Sequence, residues 1–416
     1  MNISEISTIT IVLAAAFAYI NHRLLKWPPT IGIMVLSLCT SVLLVALGKV
    51  NPVFSEKAIK MASSIDFGDV LLNFMLSFLL FAGAIHIDAG NLKKERWPVL
   101  VLSTLGILIS TTIVGGIVWY LFQIFHLPIP FIYCLLFGAL ISPTDPIAVL
   151  AILKEAKIPS TLEIKISGES LFNDGVAVVV FVTLLEAAHS GVSAIDLMAV
   201  GKLFLQEAVG GLLFGALLGY TGYYALRSID DYKVEVLITL AIVAGGYFIA
   251  GHLHISGPLA MVVAGIITGN KVKDEVLSDV SRDYLVKFWE LVDEILNAVL
   301  FLLIGLEMLI IKIDTTVLII GSISILVALL ARWISVFFPI LLLRYKIKFE
   351  RHAVAILTWG GLRGGLSVAL ALSLGANMHR DEFVLITYMI VVFSIVVQGL
   401  TIGSFTRRLL KKDVAA

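Results

Sequence analysis

Along this chain, apolar residues run in long blocks separated by short polar clusters, and the blocks are too long for strands. A helix needs about 20 residues to cross the hydrocarbon core of a bilayer, and somewhat fewer where the bilayer thins around it. The blocks predict thirteen transmembrane helices, at 8–21, 29–48, 69–88, 97–123, 129–152, 163–187, 197–226, 234–252, 256–270, 285–310, 314–343, 352–374 and 382–406. The chain therefore reads as an all-α polytopic membrane protein. No linker or low-complexity run interrupts it, and the hydrophilic tail after Phe405 is short, so residues 1–416 are expected to form one membrane domain with no soluble regulatory domain. Met1 to Ile11 carries Glu5 and no Lys or Arg, unlike the basic start of a cleaved signal peptide, so the first helix is expected to remain.

Composition supports a lipid solvent, because 59% of residues are hydrophobic and only 14% charged, more apolar surface than a soluble core could hide. Thirty basic and thirty acidic residues cancel, so no net field points to nucleic acid or an acidic partner. The placement of charge is more informative. With thirteen spans the termini lie on opposite sides, and twenty-two of the thirty Lys and Arg then fall on one side against six on the other. The positive-inside rule makes the rich side cytoplasmic, with the N-terminus outside and the C-terminus inside a plasma (cell inner) membrane. Two arginines, Arg332 and Arg363, belong to neither set. Cys39 and Cys134 sit in apolar stretches as small hydrophobes, and no disulfide, metal cluster or cofactor is expected. With no phosphate-binding glycine loop and no nucleophile pair, an enzyme is not indicated.

Charges near the bilayer centre cost on the order of 3 kcal/mol each, so those that persist pair or line a pathway. Besides the two arginines, the candidates are Asp145 in Ser142-Pro143-Thr144-Asp145-Pro146, Glu169 and Asp174 in Gly168-Glu169-Ser170-Leu171-Phe172-Asn173-Asp174, and Asp88 at a helix end, where it reads as a solvated cap beside Lys93 and Lys94. If the sixth helix starts near Glu163, Asp174 lies about 16 Å along it, half of a core about 30 Å thick. Glu169 and Asn173 are four apart, as are Ser170 and Asp174, which predicts one flank of oxygens at the midplane.

Two prolines bracket Thr144 and Asp145, each removing a donor and disfavouring helix in the residue before it, so the fifth span should break there. Trp359-Gly360-Gly361-Leu362-Arg363-Gly364-Gly365 should unwind the twelfth. Unwound backbone at membrane depth survives where protein or a wet cavity meets its polar groups, and its carbonyls can bind cations. Spans one to six and eight to thirteen, joined by the seventh, place the two breaks in corresponding positions of inverted six-helix repeats, the arrangement of a transporter with its site where the breaks cross at the midplane.

With Ser-Pro-Thr-Asp-Pro at 142–146, Gly-Glu-Ser-Leu-Phe-Asn-Asp at 168–174 and Gly-Gly-Leu-Arg-Gly-Gly at 360–365, the sequence resembles the monovalent cation/proton antiporters, in the sodium/proton exchanger branch whose sixth helix carries Asn-Asp. The resemblance implies a homodimer in membrane lipid. Core helices around 69–187 and 285–406 would move as an elevator, and helices at the start of each repeat would dimerise. It implies Asp174 as the carrier of either cation or proton, with Thr144, Asp145, Ser170 and Asn173 helping to bind sodium or lithium. It also implies a buried pair between Glu169 and an arginine, Arg332 being favoured and Arg363 the alternative, which would otherwise steady the twelfth helix. Some relatives carry an acid in the third helix, where this chain reads Gly83-Ala84-Ile85-His86-Ile87-Asp88, leaving His86 or Asp88 for that position.

The expected activity is thus secondary antiport. Proton and cation compete for one carboxylate, and exchange follows if the loaded site can change sides while the empty charged site cannot. Oxygen ligands suit sodium or lithium, and a potassium/proton antiporter is the alternative. The Asn-Asp pair implies electroneutral exchange. A sodium-coupled symporter would need a more polar and aromatic substrate pocket, and a channel would need a filter-like ring of carbonyls or acids, which the sequence lacks.

Overall fold

The apolar blocks fold as helices, since in lipid each backbone group must find its partner within the segment. A computed structural model describes residues 3–48, 51, 59–60, 62, 67–156, 158–189, 197–271 and 278–414. Among the described residues nine helices are long and apolar enough to cross a membrane. In chain order the helices are α1 (Ile3–Ile20, extended by a π-turn at Asn21–Leu25), α2 (Pro29–Gly48), α3 (Phe67–Ile85) and α4 (Arg96–Ile124). The fifth span is two half-helices, α5a (Phe131–Ile141) and α5b (Ile147–Glu155), followed by α6 (Ser160–His189), α7 (Leu197–Arg227), α8 (Tyr232–His252) and α9 (Gly257–Lys271). Next come α10 (Asp279–Glu307), α11 (Thr315–Leu343), the half-helices α12a (Ala353–Trp359) and α12b (Gly365–Leu372), and α13 (Arg380–Leu410). The all-α architecture and both interruptions match the expectation. Of the loop cations used for orientation, Lys49, Lys57, Lys157 and Lys273 lie outside the described residues.

Two boundaries differ instructively. Helix α10 starts at Asp279, ahead of the expected 285, because Ser278 caps it, its Oγ accepting from Ser281 N at 3.3 Å. The first turns carry Arg282, Asp283 and Lys287, so hydropathy alone starts the helix too late. Lys165, one of the twenty-two cations taken as cytoplasmic although it falls just inside the expected sixth span, belongs to α6 and is 1% exposed, its ammonium bridging Glu350 at 3.1 Å and Glu95 at 3.5 Å. A long-range pair thus buries a charge that the basic-residue count treats as solvated at the cytoplasmic end of the helix.

Helices α4, α5, α6, α11, α12 and α13 pack on one another, with α4 lying along α11 and α5a between α4 and α6. Phe137 of α5a stacks on Phe383 of α13 at 5.3 Å, tying the two halves of this group. Beside it, α3 packs on α9 and α10, α2 on α10, and α7 on α8 and α9. Ser37 and Ser41 of α2 donate to the Leu302 and Gly305 carbonyls of α10 at 2.7 and 2.8 Å, the hydroxyl-to-backbone adhesion that serves where no hydrophobic drive separates helix from lipid.

Candidate functional site

Pro143 and Pro146 stop α5a at Ile141 and delay α5b until Ile147. Within the gap Asp145 N donates to Leu362 O at 2.8 Å, a single antiparallel bridge to the gap of α12. The two breaks therefore touch, and each meets part of the other's backbone demand. Arg363, 3% exposed, extends this: its Nη1 donates to the carbonyls of Ser142 and Pro143, the latter at 3.0 Å, and its own N–H donates to Ser394 Oγ of α13 at 2.9 Å. A cation on the last carbonyls of α5a also suits the negative end of that half-helix.

The flank expected on α6 divides into three directions. Asn173 is spent on the α5 gap: Nδ2 donates to Thr144 Oγ1 at 2.8 Å, and Oδ1 accepts from Thr144 N at 3.3 Å. Ser170 Oγ joins the same web, 3.1 Å from Thr144 Oγ1. Glu169 faces away to α11, where Arg332 donates to both carboxylate oxygens, Nη2 to Oε2 at 2.9 Å. Arg332 also donates to the Leu357 carbonyl at the end of α12a, from Nε at 3.3 Å and Nη2 at 3.2 Å, so the pair is bidentate and further hydrogen-bonded. Arg363 takes no part in it.

Asp174 takes the third direction. With Asp145 it lines a cavity of about 80 Å³, walled by leucines and Gly83 of α3, by Asn297 and Leu300 of α10, and by Gly364 to Ser367 at the start of α12b. Among the described residues, no side chain hydrogen-bonds the Asp174 carboxylate, while Thr144, Ser170 and Asn173 stand behind the cavity and do not line it. A Cβ on Gly364 would fall 2.7 Å from Asp145 Oδ2, so only glycine lets the α12b N-terminus come this close to the carboxylate. Neither third-helix candidate reaches the cavity: His86 is exposed at the end of α3, and Asp88 is the exposed N-cap of a short helix, Ala89–Lys94, accepting from Asn91 N at 2.6 Å.

Sequence reasoning missed two polar residues on α10. Asn297 lines the cavity, and Asp293, one turn earlier, accepts from its amide. The available signal was the spacing of four in an apolar stretch, masked by the many charges at the start of that helix.

Known proteins resemble the chain as a whole at sequence level. The family described as "Sodium/hydrogen exchanger, transmembrane" matches residues 11–408. The chain belongs to this family. It is similar to the Na(+)/H(+) antiporter NhaP of Pseudomonas aeruginosa, 47% identical over 408 residues that cover 96% of this chain and 95% of the relative. The Na(+)/H(+) antiporter NhaH of Halobacillus dabanensis is 34% identical, with 93% of each chain covered. Among solved structures the sodium proton antiporter MjNhaP1 of Methanocaldococcus jannaschii shares the fold, with a TM-score of 0.77 over 98% of both chains at 20% identity. As a member of the exchanger family the chain is a secondary transporter and not an enzyme.

Proposed function

We propose that the chain exchanges sodium, or lithium, for protons across the membrane through competition at Asp174. The observation that carries this reading is the placement of Asp174 and Asp145 on one cavity of about 80 Å³ at the crossing of two helix breaks. Membership in the exchanger family and the similarity to sodium/proton antiporters support it. Asp174 holds either a proton or a cation, Asp145 adds attraction for the cation, and the Thr144, Ser170 and Asn173 web keeps the α5 gap in shape. Thr144 and Ser170 carry hydroxyl oxygens that a small rotation would add to the ion's shell. One carboxylate that trades one proton for one monovalent ion gives electroneutral exchange. The empty, charged site is held back by the cost of moving charge through the bilayer, and this couples the two fluxes.

The packing of α4–α6 with α11–α13 supports movement of that group as one elevator body against the other helices, a smaller core than the expected 69–187 and 285–406 because it leaves out α3 and α10. Exposed apolar side chains such as Leu213, Leu217 and Tyr224 on α7 suit membrane lipid or a second copy in a homodimer. The basic bias of the loops supports an orientation with the N-terminus outside and the C-terminus cytoplasmic, for a protein assigned in this reading to the plasma (cell inner) membrane. The test is purified protein in vesicles with an internal pH dye and an acid-inside gradient, to which sodium, lithium or potassium is added. Sodium or lithium should collapse the gradient equally with and without a potential clamp, and Asp174→Asn should abolish the effect while remaining monodisperse. Equal exchange by that variant would sink the scheme, and a response to potassium alone would move the selectivity to the larger ion.

A further inference from the structure

The α10 wall of the cavity carries a group that the exchange scheme has not used. Asn297 is 3% exposed, and its Nδ2 donates to the main-chain oxygen of Asp293 at 2.8 Å and to Asp293 Oδ1 at 3.1 Å. The main-chain oxygen can only accept, so the amide nitrogen must face it, and the orientation of the side chain is fixed by chemistry. Its Oδ1 therefore points away from Asp293, and this buried oxygen has no hydrogen-bond partner among the described residues. Buried acceptors are almost always satisfied, so such an oxygen marks the place of something that fills it. Its side chain lines the cavity that Asp145 and Asp174 share, and Leu300, one turn on, lines the same wall. A neutral carbonyl across from two carboxylates adds a hard ligand without adding charge, which suits a small monovalent cation and leaves the one-for-one exchange unchanged.

We propose that Asn297 is a ligand of the transported cation, contributed by α10 from the wall facing α5 and α6, and that Asp293 is the positioning residue that turns its oxygen toward the ion. This rests on the exchange reading above. Helix α10 packs chiefly on α2, α3 and α8, and meets the group formed by α4–α6 and α11–α13 at the start of α12b, where Leu300 abuts Gly365. A ligand from α10 thus ties the ion to both groups of helices in this conformation and is released when they separate.

The experiment compares wild type with Asn297→Leu, Asn297→Ser, Asp293→Ala and Asp293→Asn in vesicles, titrating sodium, lithium and potassium separately. Removing the oxygen in Asn297→Leu should raise the apparent sodium KM about tenfold or more, the scale of a lost interaction with a charged group, with little change in maximal rate and an altered lithium-to-potassium preference. Asn297→Ser keeps a smaller oxygen and should fall between. Asp293→Ala removes one of the two acceptors and leaves the main-chain oxygen, so it should raise KM by less than Asn297→Leu does, whereas Asp293→Asn keeps a side-chain acceptor and should restore it. Should Asn297→Leu fail to fold, the graded KM of Asn297→Ser and the Asp293 pair carry the test. Wild-type KM and selectivity in the folded Asn297 variants would overturn the proposal and leave the oxygen to a water molecule. A wild-type protein that exchanges no cation for protons would instead sink the exchange reading itself, so the two failures are distinct.

Discussion

The two helix breaks touch, yet they handle charge in opposite ways. The gap between Ile141 and Ile147 is made by prolines and presents Asp145 to a cavity, whereas the gap between Trp359 and Gly365 is made by glycines and folds Arg363 back onto protein. Prolines remove donors and leave carbonyls short of partners, and glycines remove side chains and let another chain approach. The second gap thereby repairs the first: Leu362 O accepts from Asp145 N, and the Arg363 guanidinium caps Ser142 and Pro143. One break is left for chemistry because the other satisfies its backbone.

If this division is right, substitutions in the two breaks should fail differently. The largest effect is expected from Asp145→Asn, which keeps shape and hydrogen bonding but removes the charge beside Asp174. Exchange in vesicles should fall at least about tenfold, with a melting temperature close to wild type. Next is Arg332→Ala beside the α12 break, which leaves Glu169 buried and unpaired. Breaking such a pair costs about 3–5 kcal/mol, read as loss of expression and a lower melting temperature in detergent, and unchanged stability would refute its structural role. Arg363→Met should remove the donor from two buried carbonyls at about 1–3 kcal/mol each, so its stability should fall before its ion affinity does. If sodium KM shifted instead at unchanged stability, the α12 break would belong to the chemistry and the comparison would fail.

The smallest effect lies at the polar entrance to α12. Glu350, in the turn before α12a, is half-buried, which raises its pKa, but the hydrogen bond from Thr161 and those from Lys165 outweigh burial and hold the carboxyl below its ordinary value. A lowered folded value means that the contribution to stability is complete above the ordinary carboxylate range, near pH 4.3, and is lost as pH falls through the folded value. Melting temperature measured against pH should therefore decline below that range, and Glu350→Gln should flatten the decline. The loss at neutral pH should be at most about 1 kcal/mol, because the site is partly exposed and Glu95 still pairs with Lys165.

Much of the site was legible where local rules govern. Pro143, Pro146 and the glycines from 360 to 365 mark both interruptions, and helix arithmetic puts Asp174 at mid-depth. The division of the α6 flank was not legible: the spacing of Glu169, Ser170, Asn173 and Asp174 places them on neighbouring faces, but which helix each face meets is a matter of packing. Asn297 escaped notice for a similar reason, since an amide among the charges of α10 carries no signal until the wall it faces is known. Lys165 counted as a solvated helix-end cation because its partner Glu350 is far along the chain.

The sequence by itself determined the helical blocks, the places where two of them break, and which acids and arginines stand within apolar stretches. These follow from residue-level terms, namely helix length against bilayer thickness, missing donors at proline, and the cost of lone charge in lipid. Only the tertiary structure decided that Arg332 belongs to Glu169, that Arg363 caps Ser142, and that Asp145, Asp174 and Asn297 share one cavity. The first two pairings span 163 and 221 residues. At such separations local propensity carries no information, and the partner is set by which buried donors and acceptors the packed helices bring within reach.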